Sequence, residues 1–276
     1  MKLTLGFSPC PNDTFIFEAM AHGRVDTEGV AFDWFLADVE ELNRRALEGS
    51  VDVTKMSFHA YALAAANYLL LDSGSALGRN NGPIVVSRHK MYPDELDEAL
   101  IAIPGKYTTA NLLFSIFWPG ASRKREYLFS DIPEAVLSGE VDAGLIIHET
   151  RFTYRALGLQ KVADTGEYWE KMTGMPVPLG GIVVQRNVNE DIAAKVNRSI
   201  RRSIEYAYAN PSASVDFIRK NAREIDAAVT AEHISLYVNE FSLSLGQEGK
   251  SAIERLFSIA REKKVIPGMP DRIFLL

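Results

Sequence analysis

At 276 residues, with 47% hydrophobic and 24% charged positions, the sequence has the make-up of a folded globular protein of one or two domains. A formal net charge of -6 and the lack of any dense Lys/Arg cluster exclude a phosphate-backbone partner, so no nucleic acid is expected. No run approaches the roughly 18 apolar residues of a membrane span, the apolar run behind Met1-Lys2 is too short for a signal peptide, and the single cysteine, Cys10, forbids an internal disulfide, which together predict a cytoplasmic protein away from the membrane.

In chain order, Lys2 to Phe7 predicts a strand and Thr14 to His22 a helix stopped by Gly23, with Asn12 or Asp13 as N-cap. Val30 to Leu36 predicts a second strand, and Asp38-Val39-Glu40-Glu41 opens a helix that ends at Gly49. This β-α-β-α-β rhythm calls for a largely parallel sheet. The rhythm returns with strands at Leu100 to Ile103, Tyr127 to Phe129 and Ala143 to Ile147, and helices at Thr109 to Phe117 and Ile132 to Leu137. Beyond a strand near 182–186 the chain turns helical at Glu190 to Ala209, Ser212 to Asn221, Thr230 to Phe241 and Glu248 to Lys264, with breaks at Asn210-Pro211, Ile225-Asp226 and Leu245-Gly246.

Two echoes organise these elements. Leu47-Glu48-Gly49-Ser50-Val51-Asp52 returns as Leu137-Ser138-Gly139-Glu140-Val141-Asp142, each copy closing a helix and opening an apolar strand. Gly82-Pro83-Ile84-Val85-Val86-Ser87-Arg88 is echoed by Gly181-Ile182-Val183-Val184-Gln185-Arg186, read as strands that pass between the halves. The expectation is an α/β protein of two lobes, with 1-87 and 186-276 in lobe one, 88-185 in lobe two, and a ligand cleft between them. Two lobes joined by two crossings can close like a hinge about residues near 88 and 185.

Ligands of open α/β sheets bind beyond the carboxyl ends of strands, which directs attention to the residues just after each strand. His148 ends the apolar run Ala143-Gly144-Leu145-Ile146-Ile147 and can either serve as a base near neutral pH or hydrogen-bond a neighbouring loop. Glu149 could orient its ring. Thr108-Thr109-Ala110 opens a helix after Pro104-Gly105 and fits either a carboxylate site or an ordinary N-cap. Lys55-Met56-Ser57 holds the matching position in the other half. Cys10 reads as a buried thiol, and His22, His59, His89 and His233 as surface or packing residues. No Cys or His cluster has metal spacing, and Gly74, Gly78 and Gly82 lack the Gly-Lys-Ser/Thr of a phosphate loop.

Several of these segments, Leu5-Gly6-Phe7-Ser8-Pro9-Cys10-Pro11-Asn12-Asp13-Thr14-Phe15, Asp52-Val53-Thr54-Lys55-Met56-Ser57, Ser73-Gly74-Ser75-Ala76-Leu77-Gly78-Arg79, Pro104-Gly105-Lys106-Tyr107-Thr108-Thr109-Ala110 and the stretch from Gly144 to Tyr154, resemble the 1,4-dihydroxy-6-naphthoate synthase family. The resemblance implies a fold similar to type II periplasmic binding proteins. It also implies a cytoplasmic carbon-carbon lyase of the futalosine route to menaquinone, acting on cyclic dehypoxanthinylfutalosine without metal or redox cofactor. Carried onto this sequence, it implies His148 as proton acceptor, substrate contacts at Lys55, Met56, Ser57, Thr109 and Ala110, and an aromatic carboxylate as the small-molecule partner. Two other readings share the fold: a two-lobed binding or sensor protein without catalysis, and the sibling enzyme chorismate dehydratase.

Overall fold

The computed structural model describes residues 1–222 and 226–275. The chain opens with β1 (Lys2–Phe7), α1 (Pro11–Ala21), β2 (Ala31–Leu36), α2 (Val39–Leu47), β3 (Val53–Ser57), α3 (Phe58–Ala64), β4 (Tyr68–Leu70) and β5 (Ala76–Gly78). It continues with β6 (Ile84–Ser87), β7 (Ile101–Ile103), α4 (Thr109–Phe117), β8 (Lys124–Glu126), α5 (Ile132–Ser138), β9 (Ala143–Ile146), α6 (Thr150–Thr153), β10 (Gln160–Asp164) and α7 (Thr165–Thr173). A long return strand, β11 (Val177–Gln185), precedes α8 (Glu190–Ala209), α9 (Val215–Asn221), α10 (Ala227–Tyr237), α11 (Glu240–Leu243) and α12 (Gly246–Glu262).

Two sheets form, one per lobe. The first runs β2-β1-β3-β11-β4, with β5 also paired to β11, and the second runs β10-β6-β9-β7-β8. In the first, β1 is parallel to β2 and β3 while β11 is antiparallel to β3; in the second, β7 is parallel to β8 and β9 while β6 is antiparallel to β9. The lobes therefore share one topology, with β1, β2, β3 and β11 equivalent to β7, β8, β9 and β6.

The first echo has a physical basis. Gly49 and Gly139 both adopt positive φ, 69° and 80°, as the chain leaves a helix. The aspartate that follows then ties its strand to a neighbour: the Asp52 carboxylate accepts from the Thr4 N–H and hydroxyl at 2.8 Å, and Asp142 accepts from the Leu100 N–H at 2.7 Å. The second echo marks equivalent strands, not a pair that both cross. β6 belongs wholly to the second sheet and β11 to the first, so the chain changes sheet at 79–83 and 165–176, ahead of the crossings expected near 88 and 185.

Other differences are local. α1 starts at Pro11, not Thr14, because proline suits the first helical position; Cys10 is the N-cap, without a side-chain cap bond, in place of Asn12 or Asp13. The strand expected at Tyr127 to Phe129 lies earlier, at Lys124–Glu126, and Phe129–Asp131 is a 3-10 turn. Edge strands tolerate charge, so β8 carries no apolar signature. The expected helix from Ser212 divides into a 3-10 turn, Pro211–Ser214, and α9. The one from Thr230 divides into α10 and α11, where Asn239 caps the second piece. Of the break at Ile225-Asp226, Ile225 lies outside the described residues, and the Asp226 side chain caps α10 by accepting from the Ala228 and Val229 N–H groups.

The C-terminal helices pack chiefly on lobe one, as their position after the return crossing implies. Ser203 of α8 donates to the Ile16 carbonyl of α1 at 2.5 Å and accepts from the Met20 N–H. One apolar cluster joins the lobes, uniting Met56, Phe58 and Phe257 with Leu112, Leu113, Ile116 and Trp169. Among the described residues, no helix is long and apolar enough to cross a membrane.

Candidate active site

The strand ends of both sheets meet at a cavity of about 90 Å³. Lys55, Met56, Ser57, Thr109, Ala110 and His148 all line it, together with Ser8, Asn12, Asp13, Asn81, Leu179, Gly180 and Tyr237. Gly180 is needed because a Cβ there would sit 2.8 Å from the Met56 carbonyl of the paired strand β3.

His148 follows β9 in a left-handed conformation, φ 56°, which a side chain with a Cβ adopts only at a cost of about 1–2 kcal/mol. The turn carries its ring off the line of the strand, 4.8 Å from the Phe129 ring and parallel to the His233 ring at 6.1 Å. Its Nε2 lies 3.9 Å from Cys10 Sγ. Burial pushes the His148 pKa down, against an upward pull from Glu149 and Asp13, so the ring is neutral at pH 7. Burial likewise pushes the Cys10 thiol far up, which removes it as a nucleophile and makes it a packing partner.

The Lys55 ammonium is not held out to a ligand alone: Nζ is 3.0 Å from Asp13 Oδ1, in a nearly fully buried pair. Asp13 also accepts from the Ser8 N–H at 3.1 Å, the Ser8 hydroxyl at 2.7 Å and the Asn12 amide at 2.9 Å. Ser57 is committed as well, since Asn43 accepts from its N–H at 2.9 Å and donates to its hydroxyl at 3.1 Å.

Thr108 caps α4 through its side chain, which accepts from the Asn111 N–H. The Thr109 hydroxyl accepts from the Phe58 N–H at 2.8 Å and donates to the Leu179 carbonyl, pinning α3, α4 and β11 together. What α4 offers to the cavity is therefore its first-turn N–H groups, those of Thr109 and Ala110, which have no acceptor within the helix.

Sequence reasoning placed His233 among surface or packing residues. It is fully buried, its Nε2 lies 3.0 Å from Asn12 Oδ1, and its Nδ1 lies 3.9 Å from Glu149 Oε2. Asn81 and Tyr237 also went unmarked as site residues. Asn81 and Tyr237 line the cavity, and His233 packs behind His148 and Asn12; the packing of α10 and the sheet crossing that bring them there is long-range, which no local pattern encodes.

The chain matches the family model described as "Menaquinone biosynthesis" over residues 3–262. It is 45% identical over 273 residues to a Thermus thermophilus protein named 1,4-dihydroxy-6-naphtoate synthase, covering 99% of each chain. It is 40% identical to a Streptomyces coelicolor protein of the same name, over 98% of this chain and 97% of the other. Among solved structures, an Archaeoglobus fulgidus protein superposes with a TM-score of 0.91 at 35% identity, over 96% of this chain and 98% of that one. The alkanesulfonate-binding protein of Xanthomonas axonopodis pv. citri superposes with a TM-score of 0.72 at 13% identity, over 97% and 94%, a likeness of fold that makes the architecture periplasmic-binding-protein-like. With the match to the family model spanning nearly the whole sequence, the chain belongs to the menaquinone biosynthesis family.

Proposed function

We propose that this protein is a cytoplasmic carbon-carbon lyase that converts cyclic dehypoxanthinylfutalosine to 1,4-dihydroxy-6-naphthoate, with His148 as general base. The observation that carries the reading is the placement of His148: a half-buried neutral imidazole in a left-handed turn, lining the same cavity as the first turn of α4. The two full-length relatives named for the same product support it.

A neutral ring in a site shielded from water can accept a proton from the spiro-fused sugar portion of the substrate. Loss of that proton starts carbon-carbon cleavage: the electron pair of the broken C–H bond moves into the ring system, a three-carbon fragment leaves with the electron pair of the broken C–C bond and takes the proton back from the His148 imidazolium, and the product becomes aromatic. The first-turn N–H groups of α4 receive the carboxylate, where a helix N-terminus favours negative charge. The Asp13–Lys55 pair, neutral as a unit, lines the wall between them without claiming that carboxylate.

Incubating the purified protein with cyclic dehypoxanthinylfutalosine and following the product by absorbance and mass tests the proposal. Catalytic formation of dihydroxynaphthoate is expected. Tight binding with no turnover would make the chain a solute binder, and dehydration of chorismate in its place would make it the sibling enzyme.

A further inference from the structure

Glu149 and His233 lie beside His148, and the proposed chemistry does not use them. The His233 ring, on α10, is fully buried and parallel to the His148 ring within 9°. Its Nε2 faces Asn12 Oδ1 at 3.0 Å, while the Asn12 amide nitrogen donates to Asp13 at 2.9 Å. An amide oxygen only accepts, so the proton of His233 sits on Nε2. The other nitrogen, Nδ1, then faces Glu149 Oε2 at 3.9 Å. Both atoms are buried, and among the described residues neither has a hydrogen-bond partner. A lone pair directed at an ionised carboxylate, away from solvent, is two acceptors without a donor.

We propose that Glu149 and His233 share one proton across this contact, and that the pair, uncharged as a unit, is the positioning element that keeps His148 a neutral base. The proposal rests on the reading of His148 as the base. Closing the gap by about 1 Å, through rotation of the carboxylate, gives a normal hydrogen bond.

The surrounding charges explain why the proton matters. Asp13 and Lys55 neutralise each other at 3.0 Å, and so do Asp164 and Arg151, which act on the neighbouring Tyr237, at 2.9 Å. Burial holds Cys10 and Tyr237 in their neutral forms. Asp38, which also acts on His148, is engaged in capping α2. Glu149 exerts the largest upward pull on the His148 pKa, ahead of Asp13 and Asp38, and a bare carboxylate there would hold a proton on the imidazole and blunt it as a base. With one proton shared, that pull is cancelled. Burial, with His148 and Lys55, pushes the His233 pKa well down, so the shared proton sits on the Glu149 side of the contact, and it stays there when His148 becomes an imidazolium during turnover, which keeps two stacked rings from both being charged. No net proton is gained or lost by the pair.

Nuclear magnetic resonance on the full chain carrying ¹⁵N-histidine tests this directly in the wild-type protein. The expected result is a hydrogen-bonded Nδ1 on a neutral His233 ring, read from a ¹⁵N shift displaced from that of a free acceptor nitrogen and from a far-downfield proton that is lost in both His233→Gln and Glu149→Gln. In Glu149→Gln, whose amide satisfies Nδ1 without a charge, the acid limb of the rate profile should keep its wild-type midpoint. A bare Nδ1 in the wild type, or a limb moved to lower pH in Glu149→Gln, would overturn the proposal. A failure of His148 as base would appear separately, as an unchanged limb in His148→Asn, and would leave the ¹⁵N result intact.

Discussion

Asp13 is held by four donors: the N–H and hydroxyl of Ser8, the amide of Asn12 and the ammonium of Lys55. It is 1% exposed, so its charge persists only because each lone pair is satisfied. Asp13→Asn would leave Lys55 buried without its counter-ion, and removing one partner of a buried pair typically costs about 3–5 kcal/mol. Urea unfolding of the variant should show a loss of that size with an unchanged slope; stability within 1 kcal/mol of wild type, on the order expected for an exposed pair, would mean that the pair is hydrated. From the sequence Asp13 reads as a helix cap, because its position after Pro11 is visible locally and its partner lies 42 positions away. His148 was legible for the opposite reason. A polar ring ending a run of apolar residues is a local signal, whereas the left-handed turn that aims it, and the rings of Phe129 and His233 around it, come from distant segments.

At the scale of elements, α4 was read to the residue, because Thr108 is a strong cap and the apolar run behind it has no competitor. The role of its first turn was only partly legible. The helix start at Thr108-Thr109-Ala110 reads as a carboxylate site or an N-cap, and because the Thr109 hydroxyl bridges Phe58 and Leu179, only the backbone N–H groups are left for a carboxylate in the proposed mode. Thr109→Val would therefore disturb the join between lobes as well as the ligand, and a change in the ligand is the cleaner probe. Calorimetry should find the carboxamide of 1,4-dihydroxy-6-naphthoate bound roughly ten- to hundredfold more weakly than the acid, the worth of a charge-assisted hydrogen bond of about 1.5–3 kcal/mol. Equal affinities would place the carboxylate elsewhere. Strand β8 shows the limit of pattern reading, since Lys124-Arg125-Glu126 pairs with β7 only because a backbone edge is available there.

Over the whole molecule, the two-lobed α/β architecture was legible in the echoes because each lobe repeats the same strand order and the same aspartate tie. What the echoes concealed is how firmly the lobes are joined. The Ala60 N–H donates to the Tyr107 carbonyl at 3.1 Å, Arg44 meets Glu126 at 2.9 Å, and the cluster around Phe58, Leu112 and Leu113 is continuous across the boundary. Opening a hinge would expose several such side chains at about 1.5–3 kcal/mol each, so the closed arrangement dominates without ligand. The radius of gyration from small-angle scattering should accordingly stay the same when dihydroxynaphthoate is added. Compaction at saturation would show that the unliganded lobes stand apart.

The account turns on His148 as a base, and its rate profile is the most direct measurement. Only the neutral ring accepts a proton, and burial lowers its pKa, so turnover should rise with pH along a limb lying below the ordinary imidazole value of about 6.5 and level off by neutrality. His148→Asn should cut turnover by a factor of about 10² to 10⁴, keep most of the product affinity, and lose the limb from its residual rate. Near wild-type turnover in His148→Asn, or the same limb in its profile, would contradict the account.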